Sequence, residues 1–259
     1  MVKHQPSSLL VTRSHYEQSP EYLSKLIRGI LYGERITNRQ FHERYRIAFP
    51  PEPGVQQRNT AALISARCAD IYNNEKFMSY YIFSSIVDVL GFDIKEMSVT
   101  IQSEDRTRTL TFSTAMSLKD IDDMCGGAGG DSMITPEKYK TTPGDLSKLI
   151  RGILYGLKIT RKNFQTLYRE KYDAIDALEK RNGSARISAF NLSINSDVKA
   201  ISFYLFESVL RVIRWRVVTM AVTLEERVTK DIRSYSTAQS AEDIDTQVAQ
   251  ENMVGISSL

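Results

Sequence analysis

Apolar side chains recur along this chain in two rhythms, and the change between them happens twice. Leu23, Leu26, Ile27, Ile30 and Leu31 fall at i, i+3, i+4, i+7 and i+8, the spacing that lines one face of an α-helix. Further amphipathic stretches predict helices over 37–47, 59–72 and 77–91, the last with Tyr81, Phe83, Ile86, Val87, Val89 and Leu90 as its core. After Gly91 the period drops to two: Met97, Val99 and Ile101 alternate with Ser98, Thr100 and Gln102, and Leu110 and Phe112 resume the alternation. That pattern predicts a β-hairpin with its turn near residues 103–106.

The whole progression then repeats. The block Leu-Ser-Lys-Leu-Ile-Arg-Gly-Ile-Leu-Tyr-Gly stands at 23–33 and again at 146–156, a shift of 123 residues. The shift also matches Ile36 with Ile159, Thr37 with Thr160, Phe41 with Phe164, Tyr45 with Tyr168, Phe83 with Phe206 and Val99 with Val222. A duplication organises the chain as two modules, since internal self-similarity at a fixed period marks a repeated structural unit. The second copy predicts helices near 182–195 and 200–213, a strand near 217–224 and a second strand near 227–232.

Local signals sharpen the helix ends. Ser19-Pro20 and Thr142-Pro143 read as N-cap followed by Pro at N1, and Gly33 reads as the residue that terminates the first helix. Thr37 and Gln40 fit a capping box, with Ile36 and Phe41 as the hydrophobic staple. Gly29 and Gly152 lie inside helices at a cost of ~1 kcal/mol each, which points to close packing of another backbone. Between the second and third helices Pro50–Gly54 cannot be helical, whereas Asp173–Arg181 in the second copy reads as a helix extension.

These signals define a mainly α fold with small β-hairpins (α+β): two tandem copies of a four-helix module followed by a hairpin. The expected division is a flexible arm (1–18), module one (19–116), a Gly-rich acidic linker (117–141), module two (142–233) and a flexible tail (234–259).

Composition leaves that picture unchanged. Hydrophobic residues make up 42% of the chain and charged residues 25%, ordinary for a globular protein. No run approaches the ~18 apolar residues of a membrane span, and the start carries no apolar signal segment, so a cytoplasmic location is expected. Cys68 and Cys125 have no counterparts at the 123 shift and are expected to be free thiols. The net charge is only +3, but residues 20–50 carry six Lys/Arg against three Glu, and residues 143–173 carry seven against three acids. Positive charge sits on the repeated unit, which bears on polyanion binding.

Catalytic patterns are missing. The three histidines, His4, His15 and His42, do not recur in the second copy. No metal-ligand spacing, P-loop ending or nucleophile elbow occurs, so the chain is expected to be no enzyme and to hold no metal, cofactor or small-molecule substrate.

What remains is a helix, a four-residue connection and a capped second helix, in each copy. That outline matches helix–turn–helix geometry. If the second helix enters the major groove, Asn38, Arg39 and His42 would meet base edges in one copy, and Arg161, Lys162 and Gln165 in the other. Lys25, Arg28, Arg35, Arg44, Arg46, Lys148, Arg151, Lys158 and Arg169 would contact phosphates. An alternative docking would use Arg58, Asn59, Arg67, Arg181, Asn182 and Arg186 around the third helix.

On Leu23–Tyr45 and Leu146–Tyr168, with Ala62–Ile71 as the next helix, the chain resembles phage Cro and repressor-type DNA-binding regulators at the level of fold. The loop at Pro50–Gly54 is longer than the tight turn of that family. The resemblance implies a transcriptional regulator of double-stranded DNA, here a single-chain pseudo-dimer on an asymmetric or pseudo-palindromic site. With six phosphate contacts its affinity would fall about a thousandfold between 50 and 200 mM salt. The hairpins would pack the modules together or pair edges with a second chain as a homo-oligomer. Two other functions fit the same residues: a protein–protein assembly subunit, and an RNA or single-strand binder using aromatics such as Tyr32, Tyr155, Tyr80 and Tyr81.

Overall fold

The structure, a computed structural model, describes residues 8–20, 22–50, 56–73, 78–127, 131–142, 144–172, 192–196 and 201–257. Its fold is α+β, a set of helices with one four-stranded antiparallel sheet. In chain order, the first copy contributes α1 (Arg13–Glu17), α2 (Leu23–Gly33), α3 (Asn38–Ala48), α4 (Gln56–Tyr72), α5 (Tyr80–Val89), β1 (Phe92–Ser103), β2 (Thr109–Ser113) and α6 (Leu118–Cys125). The second contributes α7 (Pro136–Lys140), α8 (Asp145–Gly156), α9 (Arg161–Lys171), α10 (Phe203–Val212), β3 (Trp215–Glu226), β4 (Ile232–Ser236) and α11 (Ala241–Ser257). The sheet order is β2-β1-β3-β4.

Elements at the 123 shift reach further than the hydrophobic pattern indicated. The segments expected to be arm, linker and tail carry α1, α6, α7 and α11. Helix α7 follows α1 by 123 residues, and α11 starts 123 residues after α6. The signal lies in their caps: Thr12 and Thr135 cap α1 and α7, and Ser117 caps α6 with Asp120 closing the box. At the start of α11, Ser240 Oγ accepts from the Asp243 N–H, and the Asp243 carboxylate accepts back from the Ser240 N–H.

The chain forms two compact units, and each takes elements from both copies. Unit 1 is Met1–Lys95 with Met220–Leu259; unit 2 is Glu96–Thr219. In unit 1, α1 to α5 of the first copy pack with the end of β3, β4 and α11 of the second. Tyr16 of α1 donates to the Gln239 carbonyl at 2.8 Å. In unit 2, α7 to α10 pack with the end of β1, β2 and α6. There Tyr139 of α7 donates to the Met116 carbonyl at 2.9 Å. The two contacts are the same contact 123 residues apart.

The repeated block explains itself in this arrangement. Its apolar stripe is core: Leu23, Leu26, Ile27, Ile30 and Leu31 are buried, as are Leu146, Leu149, Ile150, Ile153 and Leu154. Its serines accept backbone N–H groups, Ser24 from Met78 and Ser147 from Ile201. Gly33 does not terminate α2 through a left-handed backbone; that conformation falls on Arg35 (φ 51°) and, in the twin, Lys158 (φ 53°). Gly33 is instead a point of close approach. A Cβ there would stand 2.7 Å from Cε1 of Tyr235 on β4, and one on Gly156 would stand 2.7 Å from Cys125 Sγ and 2.8 Å from Ile121 Cγ2. At Gly29 the neighbours are the side chains of Tyr16 and Ile244 rather than another backbone.

Some expected boundaries move. Helix α2 begins after Tyr22, which has φ 57° and no side-chain cap, so Ser19 is not its N-cap. Helix α8 begins after Gly144 (φ 71°), and Thr142 donates to the carbonyls of Lys138 and Tyr139 instead of capping. The capping box at Thr37 and Gln40 forms as the sequence predicts. Strand β1 buries Met97, Val99 and Ile101 in alternation, with Val99 opposite Phe112 and Ile101 opposite Leu110. Strand β4 starts at Ile232 instead of spanning 227–232, because residues 227–230 form a turn with Lys230 at φ 65°. Most of Pro50–Gly54, the extension at Asp173–Arg181 and most of the helix near 182–195 lie outside the described residues.

Candidate nucleic-acid interface

The paired helices α2–α3 and α8–α9 put their candidate cations in different surroundings. Arg28 and Arg151, expected at a phosphate surface, are buried, with 2% and 0% of their area exposed. Arg28 donates through Nε to the Ile71 carbonyl at 2.7 Å and through Nη1 to the His15 carbonyl at 3.0 Å. Its Nη2 also reaches the Asn73 carbonyl at 3.5 Å, and Arg151 repeats the set with Ile194 at 2.8 Å, Lys138 at 2.6 Å and Ser196 at 2.8 Å. Each guanidinium joins the preceding short helix to the backbone 43 to 45 residues downstream. Burial lowers the pKa of Arg28, with the charge of Tyr72 opposing. These two residues are interior staples, buried away from any phosphate surface.

Lys25 and Lys148 are half-buried, with their Nζ atoms 5.7 and 5.8 Å from the ring centroids of Tyr16 and Tyr139. Tyr32, offered above as a stacking platform, is 4% exposed, and its hydroxyl donates to Asp245 at 2.8 Å. The half-buried Tyr155 donates to Asp122 at 3.2 Å. The buried Tyr32 ring is therefore not available to stack on a base.

In unit 1 the remaining candidates other than Arg46 are engaged. Arg35 is paired with the Asp245 carboxylate and lies 4.5 Å from the Tyr32 ring centroid. Asn38 gives its amide to the Ser8 carbonyl at 3.3 Å and to Ser8 Oγ at 3.1 Å. Arg39 pairs with Glu43 at 2.8 Å, and the Arg44 guanidinium donates to the Leu90 carbonyl. His42 is half-buried with Nε2 4.0 Å from Cys68 Sγ, whose pKa burial pushes up. Arg46 is exposed. Of the alternative docking set, Arg67 pairs with Asp70 at 3.0 Å. The side chains of Arg58 and Asn59, and all of Arg181, Asn182 and Arg186, lie outside the described residues.

Unit 2 presents the opposite picture. Lys158 in the turn, Arg161 and Lys162 in the first turn of α9, and Arg169 in its last are exposed, and no described carboxylate pairs with any of them. Gln165 is half-buried between them in sequence. The first turn of α9 contains no acidic residue. Arg161 and Lys162 therefore stand at the positive end of the helix dipole, where cations are disfavoured by ~0.3–1 kcal/mol. An anion placed against them relieves that cost.

The contrast is visible over equal windows. Residues 34–43 contain two arginines against two glutamates, whereas residues 157–166 contain Lys158, Arg161 and Lys162 and no acid. Glu34, whose carboxylate is 8% exposed and takes the Tyr235 hydroxyl at 2.6 Å, is replaced by Leu157; Glu43 is replaced by Thr166.

Among the described residues no group of three or more His, Cys, Asp or Glu side chains is placed to hold a metal ion. None of the described helices is long and apolar enough to cross a membrane. No family model, no curated protein and no solved structure matches the chain.

Proposed function

We propose that this chain is a DNA-binding transcriptional regulator and that it meets the phosphate backbone of duplex DNA through the turn after α8 and the first turn of α9. The observation that carries the proposal is the run of exposed cations Lys158, Arg161 and Lys162 with no acid in the same ten residues. Closely spaced unpaired cations are an electrostatic footprint for a polyanion, and their affinity comes from the counterions they release. Arg161, Lys162 and Gln165 remain the candidates for base edges, Arg and Lys toward guanine and Gln toward adenine.

Each copy is taken as a four-helix module with a hairpin, so that two helix–turn–helix segments stand in one chain as a pseudo-dimer. Because Asn38, Arg39 and His42 differ from Arg161, Lys162 and Gln165, the preferred site is asymmetric. The protein is a binder, with no reaction assigned to it, and its place of action is the cytoplasm.

A second possibility, a protein-assembly subunit, draws on Tyr81 and Tyr204. These twin positions on α5 and α10 are 74% and 72% exposed. A gel shift on random-sequence duplex across a salt series separates the two. With Lys158, Arg161, Lys162 and Arg169 engaged, affinity falls about a hundredfold between 50 and 200 mM salt. Absence of a shift at low salt, or a shift indifferent to salt, overturns the DNA proposal and favours protein assembly.

A further inference from the structure

We propose that unit 1 holds a second, masked phosphate contact, and that Asp245 on α11 is the group that masks it. The proposal rests on the DNA-binding function above and concerns the other unit. Arg35 occupies the same turn position as Lys158 and the same left-handed backbone, φ 51° against 53°. A cation is therefore held there by the fold in both copies. What differs is its partner. Asp245 accepts the Tyr32 hydroxyl at 2.8 and 2.9 Å, pairs with Arg35, and lies 3.8 Å from Arg13 Nη1. The carboxylate is thus the direct partner of Arg35, while Arg13, beyond it, is paired with Glu17 at 2.8 Å. In unit 2 the twin carboxylate, Asp122, takes only the tyrosine: Tyr155 donates to it at 3.2 Å, Lys158 forms no ion pair with it, and the twin of Arg13 is Pro136.

The mask is weak by design of its surroundings. The side chains of Arg35 and Asp245 are 39% and 34% exposed, so water already competes for both. Exposed pairs of this kind shift equilibria by about two- to fivefold. That is of the same order as the gain from one phosphate contact at an exposed arginine, so Asp245 keeps Arg35 closed in the unaltered chain. Tyr32 keeps the carboxylate in place when no phosphate is present, since its hydroxyl holds Asp245 independently of Arg35.

Asp245→Asn tests this without dismantling α11, because an amide oxygen still accepts from Tyr32 while the charge is gone. Binding of a fluorescein-labelled random-sequence duplex is followed by anisotropy over a salt series, with thermal melting as the folding control. Asp245→Asn is expected to bind about two- to fivefold tighter at low salt. Its log–log salt slope should be steeper by about one, as Arg35 engages a phosphate. The gain should vanish when Arg35→Ala is added, and Arg35→Ala in the otherwise unchanged chain should leave affinity as it was. Unchanged affinity and slope in Asp245→Asn, with Lys162→Ala still weakening binding, overturns the mask and leaves the unit 2 contact standing. Loss of affinity in Arg35→Ala alone also overturns it, since unit 1 would then be in contact already. No binding by the unaltered protein overturns both proposals together.

Discussion

The windows 34–43 and 157–166 occupy the same place in two copies of one fold, and they differ where it matters for charge. Both follow a helix built from the same eleven residues, both place a cation at positive φ, and both open a helix capped by threonine. Yet the first carries no net charge and engages Glu34 with Tyr235 and Arg233, while the second carries three exposed cations and no acid. The comparison separates two kinds of constraint. Residues that face inward are held by packing and hydrogen bonds and stay alike; residues that face outward are released from those constraints and have diverged toward different surfaces.

The largest effect expected from this account concerns the shared interior. Arg28→Met and Arg151→Met each leave a buried carbonyl, at Ile71 or Ile194, and part-buried ones, at His15 and Asn73 or at Lys138 and Ser196, without their donor. Each should cost about 3–5 kcal/mol in denaturant unfolding, because removing one side of a buried polar cluster strands the other. Loss in one copy but not the other would break the equivalence of the two interiors.

The next effect is a matched pair in alkali. Burial, with the charge of Asp243, pushes Tyr16 up to about 12, and burial with the charge of Asp120 does the same for Tyr139. A tyrosine whose folded pKa lies above its unfolded value of ~10 stabilises the fold fully below that unfolded value. That stability is lost as the pH rises toward the folded value. Each should give up roughly 2 kcal/mol by pH 12, so unfolding measured from pH 9 to 12 should show a steep fall that Tyr16→Phe and Tyr139→Phe each reduce. Both hydroxyls donate to a backbone carbonyl, so the Phe variants begin from lower stability.

A smaller difference should appear at the glycines. Gly33→Ala presses a methyl onto the Tyr235 ring, and Gly156→Ala onto Cys125 and Ile121. Overpacking of this kind costs about 1–3 kcal/mol. Cys125→Ala should recover part of the loss in Gly156→Ala and none in Gly33→Ala, because contacting sites couple and distant ones add. Equal behaviour of the two doubles would mean that the packing inferred around each glycine is wrong.

Much of this was legible before the fold was known. The stripe from Leu23 to Leu31, the capping box at Thr37, and the alternation of Met97, Val99 and Ile101 all reflect local periodicity, which a sequence displays directly. Two features were not legible, for physical reasons. Arg28 looks like a surface cation because its acceptors are carbonyls 13 to 45 residues away, and a backbone carbonyl leaves no mark in the sequence. The exchange of β4 and α11 into unit 1 leaves no mark either, since two copies that keep the same inward-facing residues satisfy the same contacts whether each folds on itself or on its sibling. The short helices α1 and α7 were missed because five residues are too few to show a period; the paired Thr12 and Thr135 caps could have revealed them. At the candidate interface, by contrast, the loss of Glu34 and Glu43 at Leu157 and Thr166 is written plainly in the sequence.

The turn and helix start after α8 carry three exposed, unpaired cations, whereas in the matching window after α2 both arginines are paired with carboxylates. The most direct test compares the salt dependence of duplex binding by Lys158→Ala/Arg161→Ala/Lys162→Ala with that of Arg35→Ala/Arg39→Ala, each against the unaltered chain. The account predicts that the first variant flattens the log–log slope by nearly three while the second leaves it unchanged. Equal flattening by the two variants, or flattening by the second alone, would contradict it.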